Sequence, residues 1–291
     1  FGGYKIAEGY MAFVYGSFMN YWSTNGNISY SPAYVDEYRT RGGPMMKTTP
    51  GYSFNFGFSS DSRKMITGGL GVYGSRSESG SYTVEFDPSI GFKPTAGINV
   101  NISPYFKRSF GMAQYITTVS DPTGTSTYGA RYIFSKIDQS EVAASIRVEW
   151  TFTPTLSLQL YMQPLISAVQ FCGYKELKQP GTFTFNRYGE DGSTISYVDS
   201  SHEYLVDPDG AGPNSPFTFS KPDFNYVSLR GNVILRWEYL PGSTMYFVWT
   251  HGGTDYANYG DFNLRRDLNN LVSTQLHEDV LLIKLTYWWH P

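Results

Sequence analysis

The chain has 291 residues, a formal net charge of −3 and a single cysteine, Cys172. That excludes an internal disulfide and a multi-cysteine metal site, and it leaves no basic stripe of the kind that nucleic-acid phosphates require. Aromatic residues make up 18% of the chain and charged residues only 16%, against about 25% charged in an ordinary soluble domain.

No run approaches the ~20 consecutive apolar residues of a membrane-spanning helix, and the mean hydropathy is −0.33. A β-barrel is compatible with both, because each of its strands shows lipid only every second residue. The chain opens FGGYKIAEGY, without Met or a charged-then-apolar leader, so either a leader was removed or the chain is part of something longer. Gly9 to Trp22 reads as a strand ending in aromatics, followed by a tight turn at Asn25-Gly26, a weaker return strand over Asn27 to Tyr38, and loop composition from Arg39 to Gly51. Tyr52, Phe54, Phe56 and Phe58 then alternate with Ser53, Asn55, Gly57 and Ser59, the period of two that marks a strand. Lys64 to Tyr73 returns after a polar turn around Asp61.

Tyr82, Val84, Phe86, Ile90 and Phe92 oppose Thr83, Glu85, Asp87 and Ser89, and a turn at Lys93 to Ala96 leads into Ile98, Val100, Ile102 and Phe106. Gly111 to Ser135 fits two further spanning strands or one hairpin standing above the membrane, and the protruding hairpin is preferred. Glu141 to Ala168 is the clearest hairpin, two alternating arms joined by Thr153-Pro154-Thr155. Each arm meets the ~9–11 residues of a membrane strand, whereas strands in globular proteins usually run to about 5–6. Residues 170–225, dense in turn residues, are expected to form a long outer loop with a functional or mobile role. Strand grammar resumes from Val227 to Tyr239, turns at Pro241 to Ser243 into Thr244 to Thr250, passes a second loop over His251 to Asp279, and ends on Leu281 to Trp289.

Short turns at one end and long loops at the other predict an all-β fold, a single antiparallel transmembrane β-barrel over residues 1–291 in the outer membrane of a Gram-negative bacterium. The strand count comes to eleven to thirteen, although bacterial barrels normally have an even number. Trp22, Trp150, Phe152, Trp237, Tyr239, Tyr287 and Trp289 are expected to form an aromatic girdle at the periplasmic interface. Glu85, Asp87, Glu141, Arg147, Glu149, Arg230, Arg236, Glu238 and Lys284 are expected to face the lumen. There they either set the selectivity of a water-filled passage or pair and fill a narrow one, the latter being preferred.

Asp207, Asp209 and Asn214 have oxygen ligands at calcium-loop spacing but lack the twelve-residue pattern and its closing glutamate, so a solvated turn is preferred. His202, His251, His277 and His290 are scattered without HExxH spacing, which speaks against zinc. No G-x-S-x-G is present, so no enzyme is expected, and no cofactor. The loop aromatics Phe183, Phe185, Tyr188, Tyr197, Tyr204, Phe217, Phe219 and Phe224 suit sugar stacking, a partner protein or packing on one another.

Six stretches carry a family resemblance: YRTRGGPMM (Tyr38 to Met46), FSSDSRK (Phe58 to Lys64), SDPTGTSTYGARYIFSKIDQ (Ser120 to Gln139), TFTPTLSLQLYMQP (Thr151 to Pro164), LRGNVILRWEYLPGSTMYFVW (Leu229 to Trp249) and LLIKLTYWW (Leu281 to Trp289). Spread in order over nearly the whole chain, they resemble the C-terminal region of a family of outer-membrane proteins of unknown function, in which a β-barrel follows a domain similar to the family 9 carbohydrate-binding modules. The resemblance implies the barrel portion of a longer precursor and supplies no catalytic residue. The lipid bilayer is the expected partner. Two functions are expected: a channel or the anchor and translocation unit of the upstream domain, and alternatively a closed-lumen barrel whose outer loops bind partner proteins or surface glycans.

Overall fold

Period-two alternation sends every second side chain to the same surface, and most of the described residues lie in antiparallel strands. The computed structural model describes residues 3–190, 192–273 and 276–289. A first hairpin, β1 (Tyr10–Ser17) and β2 (Ser23–Ser31), is followed by the two-residue ladder of β3 (Val35–Asp36) and β4 (Met46–Lys47). Next come β5 (Gly51–Ser59), β6 (Ile66–Ser77) and β7 (Tyr82–Thr95), then the three long strands β8 (Ile98–Ser120), β9 (Ala130–Thr153) and β10 (Leu156–Leu177). Short strands β11 (Phe185–Arg187), β12 (Thr194–Val198), β13 (Glu203–Asp207) and β14 (Phe217–Ser220) precede β15 (Phe224–Leu240) and β16 (Ser243–Ala257). Helix α1 (Leu264–Val272) and β17 (Leu276–Thr286) complete the order.

One meandering sheet runs β1-β2-β5-β6-β7-β8-β9-β10-β15-β16-β17, and β11 pairs with the outer end of β10. A second, three-stranded sheet joins β12, β13 and β14. The eleven strands of the meander alternate in direction, so β1 and β17 run the same way. Among the described residues each of these two pairs on one side only, leaving the sheet with two free edges.

The long hairpins are set by their turns. Leu156 pairs with Thr153 around Pro154-Thr155, and Leu240 with Ser243 around Pro241-Gly242, where Gly242 takes φ 75°, a conformation glycine adopts without steric cost. The turn expected over Lys93 to Ala96 lies slightly later, at Ala96-Gly97, with Thr95 opposite Ile98. The turn expected at Asn25-Gly26 is wrong. Both residues lie within β2, opposite Tyr15 and Val14. The reason is across the sheet: Asn25 lies over Gly57, where a Cβ would stand 2.4 Å from its Oδ1. The chain instead reverses over residues 18–22, closed by Phe18 N–H to Trp22 O at 2.8 Å and Trp22 N–H to Asn20 Oδ1 at 3.2 Å.

The segment Gly111 to Ser135 is one hairpin rather than two new spanning strands, but it is not separate: it continues β8 and β9, paired from Gln114↔Ser135 to Ser120↔Ala130. Residues 170–225 are likewise not an open loop. β10 runs on to Leu177, and β11 to β14 fold over it around Ile133, Tyr174, Tyr188, Val206 and Phe219. The second expected loop contains the end of β16, α1 and the start of β17. Among the described residues these extensions, together with the patch of sheet that α1 covers, hold most of the best-buried side chains.

Candidate functional site

In antiparallel strands directly opposed residues share a face, so register alone assigns the polar surface. Glu85 pairs with Lys107, which pairs with Glu141. Arg147 stands between Asn101 and Tyr161, and Glu149 between Asn99 and Gln159. Ser157 opposes Arg236, and Arg236 opposes Tyr246, which opposes Lys284. Asp87 lies two residues from Glu85, and Arg230 and Glu238 lie an even number from Arg236. The nine charged residues singled out in the sequence therefore fall on one face.

Several of them are paired. Lys107 Nζ lies 4.0 Å from Glu85, Arg236 lies 3.1 Å from Glu238, and Asn99 donates to Glu149 at 3.2 Å. The Arg147 guanidinium sits 4.9 Å from the Tyr161 ring centre. The same face carries a feature that only register discloses, an uncharged row Ser29, Ser53, Ser75, Thr83, Ser109 and Gln139 across six strands. Its hydroxyls were visible as the polar halves of alternating strands, but their alignment was not.

The connection between β2 and β5 arches over this face. It spans the width of β6, β7 and β8 to reach β9, β10 and the segment before β11. Gly181 N–H donates to Met45 O at 2.7 Å and Lys47 N–H to Thr182 O at 3.2 Å. Met46, 0% exposed, packs among Tyr132, Phe134 and Leu177. Arg41, at φ 53°, places its guanidinium 5.0 Å from the Tyr115 ring centre. Beneath the arch lies a cleft of about 840 Å³, walled by Ser53, Ser75, Thr83 and Ser109 from the sheet and by Tyr38 and Arg39 from the arch. Such a wall, rich in hydroxyls and with few charges, can exchange hydrogen bonds with a polar solute.

Beside the arch, the outer ends of β8 to β11 hold a network of half-buried charge. Arg131 reaches Glu176 at 2.9 and 2.7 Å and Asp121 at 2.8 Å. Glu176 also accepts from Tyr188 Oη at 2.8 Å and Asn186 Nδ2 at 3.1 Å. Burial opposes the charge on Asp121, yet hydrogen bonds from Thr123 and the Arg131 guanidinium outweigh it and hold its carboxyl below the usual range. Burial, reinforced by Glu176, raises the Tyr188 hydroxyl, which stays protonated as a donor. Lys175 donates to Met112 O at 2.6 Å and lies 4.1 Å from the Phe185 ring centre. Burial, followed by the charges of Arg187 and Lys136, lowers it to about 8.

The remaining expected residues separate. Asp207 Oδ1 accepts from Gly210 N–H at 2.8 Å, and Asp209 Oδ2 accepts from the Asn214 amide groups at 3.1 and 2.7 Å. That is a self-bonded turn, and among the described residues no group of three or more His, Cys, Asp or Glu is gathered for a metal. His251 Nδ1 lies 2.9 Å from Asp279 and its ring 6.5 Å from that of His277, while His202 meets Tyr197 at 3.1 Å; His290 lies outside the described residues. Cys172 is exposed on β10. The loop aromatics pack on one another and on the β9–β10 extension, as in Tyr174–Phe219 at 5.0 Å and Phe134–Phe185 at 5.5 Å. Trp22, Trp150, Phe152, Trp237, Tyr239, Tyr287 and Trp289 stand at the short-turn end, with Trp150 4.4 Å from Phe152 and Trp22 4.9 Å from Phe58.

A family model described as "Domain of unknown function (DUF5916)" matches residues 8–290, nearly the whole chain. No curated protein matches it.

Proposed function

The chain belongs to the DUF5916 family, and from that premise we propose that it is an integral β-barrel of an outer membrane whose polar face lines a passage for hydrophilic solutes. The two-faced sheet carries this reading. Opposite the polar face, Phe86 (43% exposed), Trp249 (40%), Leu281 (80%) and Ile283 (68%) stand open, part of an apolar surface far larger than a soluble monomer tolerates.

That surface has borders. Above Phe106 on β8 comes Arg108, bonded to Ser140 and, at 2.6 Å, to Asp138; above Trp249 and Leu281 come His251 and Asp279. At the short-turn end it stops at Trp150 and Phe152. Ten residue steps from Phe152 to Val142, at ~3.3 Å each and a tilt of ~40°, span ~25 Å, the height of a barrel's apolar band. Free strand edges are not tolerated in hydrocarbon. Because β1 and β17 run the same way, antiparallel closure takes an odd number of further strands, and the whole barrel is then even-stranded. The resemblance to outer-membrane proteins with an upstream domain similar to family 9 carbohydrate-binding modules adds a second duty, anchoring or translocating that domain.

A second reading, a barrel held shut whose outer surface binds partner proteins or glycans, is favoured by the arch of residues 32–50, which covers the polar face and is pinned by buried Met46. Planar-bilayer recording separates the two. The passage reading expects stable single-channel steps from the purified barrel; silence that persists after the arch is replaced by a short Gly-Ser link would overturn it.

A further inference from the structure

Helix α1 is capped reciprocally, with Asn263 Oδ1 accepting from Arg266 N–H at 3.1 Å and Asp267 accepting from Asn263 N–H at 2.9 Å. It rests on the apolar outer face of the sheet, where its Leu271 covers Ile166 and Val227. Its apolar sector does not end there. At 100° per residue, Leu264, Leu268 and Val272 continue the arc from Leu271 over ~100°, the width of the buried stripe on an ordinary surface helix. These three are 50%, 44% and 83% exposed. The sheet therefore buries one edge of the helix's apolar face and leaves the rest open.

Three further observations bear on what covers it. The open stripe ends at Val272, which shares a groove with Leu229 and Val233 of β15 and Trp249 of β16. Below the C-terminal end of α1 lies a groove of about 650 Å³ walled by Leu160, Met162, Leu229, Val233, Trp249 and Val272. At its rim stands a polar corner, where Asp279 accepts from Trp249 Nε1 at 2.8 Å and meets His251 at 2.9 Å. Finally, Arg266 is neutralised by Asp261 at 2.8 Å and Asp267 at 2.9 Å. Exposed Arg265, at the margin of the apolar arc, makes no ion pair among the described residues.

We propose that α1 is an interfacial helix seated in the outer leaflet. Its Leu264, Leu268 and Val272 lie on lipid acyl chains, the groove beneath it takes one such chain, and Arg265 meets an anionic headgroup. This rests on the membrane reading above. An apolar face ordinarily sinks about 5–10 Å below the headgroups in such helices, and basic side chains beside it snorkel to the surface. A protein partner would instead require the stripe to meet a complementary surface away from the bilayer.

The test uses the full chain in a Cys172→Ser background, with single cysteines at Leu268→Cys and Ile283→Cys carrying a fluorophore. The chain is reconstituted in phosphatidylethanolamine–phosphatidylglycerol vesicles containing lipids with doxyl quenchers placed near the glycerol or near the chain ends. The label at position 268 should be quenched about twofold more by the shallow doxyl than by the deep one, as a face ~5–10 Å below the headgroups requires, and the label at 283 more by the deep one. Quenching at 283 with none at 268, where aqueous iodide quenches instead, overturns the interfacial helix and leaves the membrane reading standing. Absence of lipid quenching at both positions overturns both.

Discussion

At the scale of single residues, the outer network around Arg131 shows how charge specifies a packed extension. Arg131 is 13% and Glu176 10% exposed at the side chain, so removing one partner strands the other. Arg131→Met should destabilise the cap of β11 to β14 by about 3 kcal/mol, the low end for a broken buried pair. Hydrogen exchange at the Ile195 and Val206 amides measures it, and adding Glu176→Gln should recover part of the loss because one carboxylate, Asp121, is then stranded instead of two. Lys175 gives a pH signature. Its folded value of about 8 lies below the ~10.4 of an unfolded lysine. Between those values the unfolded chain binds more protons, so stability of the cap rises from about pH 8 to about pH 10. Above about pH 10 the raised Tyr188 and Tyr174 hydroxyls reverse the trend, since the folded cap holds protons that unfolded tyrosines lose. In Lys175→Met the rise should vanish, as read from urea midpoints across that range.

At the scale of the element, the β9–β10 hairpin presents two surfaces of opposite polarity. Val148 and Leu158 lie on the apolar face, and Thr151 and Gln159 on the polar one, Gln159 directly opposite Glu149. On the membrane reading, an arginine at position 148, well inside the apolar band, would cost about 2–4 kcal/mol and one at 158, opposite the girdle residue Trp150, about 0–1 kcal/mol, whereas one at 159 gains a carboxylate neighbour. Val148→Arg should therefore block assembly into detergent-resistant folded protein, Leu158→Arg should lower its yield less, and Thr151→Arg and Gln159→Arg should be tolerated. Equal loss from both faces would show that the sheet is not bounded by lipid.

At the scale of the whole molecule, the arch is the feature that bears on the passage reading. On the passage reading, an arch pinned by Met46 over the polar cleft constricts it, so replacing residues 36–47 with a flexible link should raise single-channel conductance several-fold over the intact chain, without unfolding the sheet. Met46→Asp, which places a charge at a fully buried position, should act in the same direction by freeing the arch, because an isolated buried charge is strongly disfavoured. Unchanged conductance in both would mean that the narrowest point lies elsewhere along the polar face.

The alternation of Tyr52 to Ser59, of Tyr82 to Phe92 and of Glu141 to Ala168 was enough to identify long antiparallel strands and to assign each charged residue to a side, because side-chain direction in a strand follows from position parity alone. Pro154 and Gly242 likewise announced their turns through local backbone preference. Other features needed contacts between residues far apart in the chain. Asn25-Gly26 had turn chemistry yet became strand because Gly57 leaves room for Asn25. The stretch 170–225 looked like loop because β11 to β14 are too short to show a period and are held by aromatics packed against β9 and β10. The hydroxyl row needed the register of six strands at once, and the open stripe of α1 needed to be seen on one side of a sheet. Sequence by itself determined the strands, their two faces and their shared polarity, since these follow from each residue and its near neighbours. Only the tertiary structure decided the arch, the cleft, the outer cap and the free edges, because each depends on which distant segments come to lie side by side.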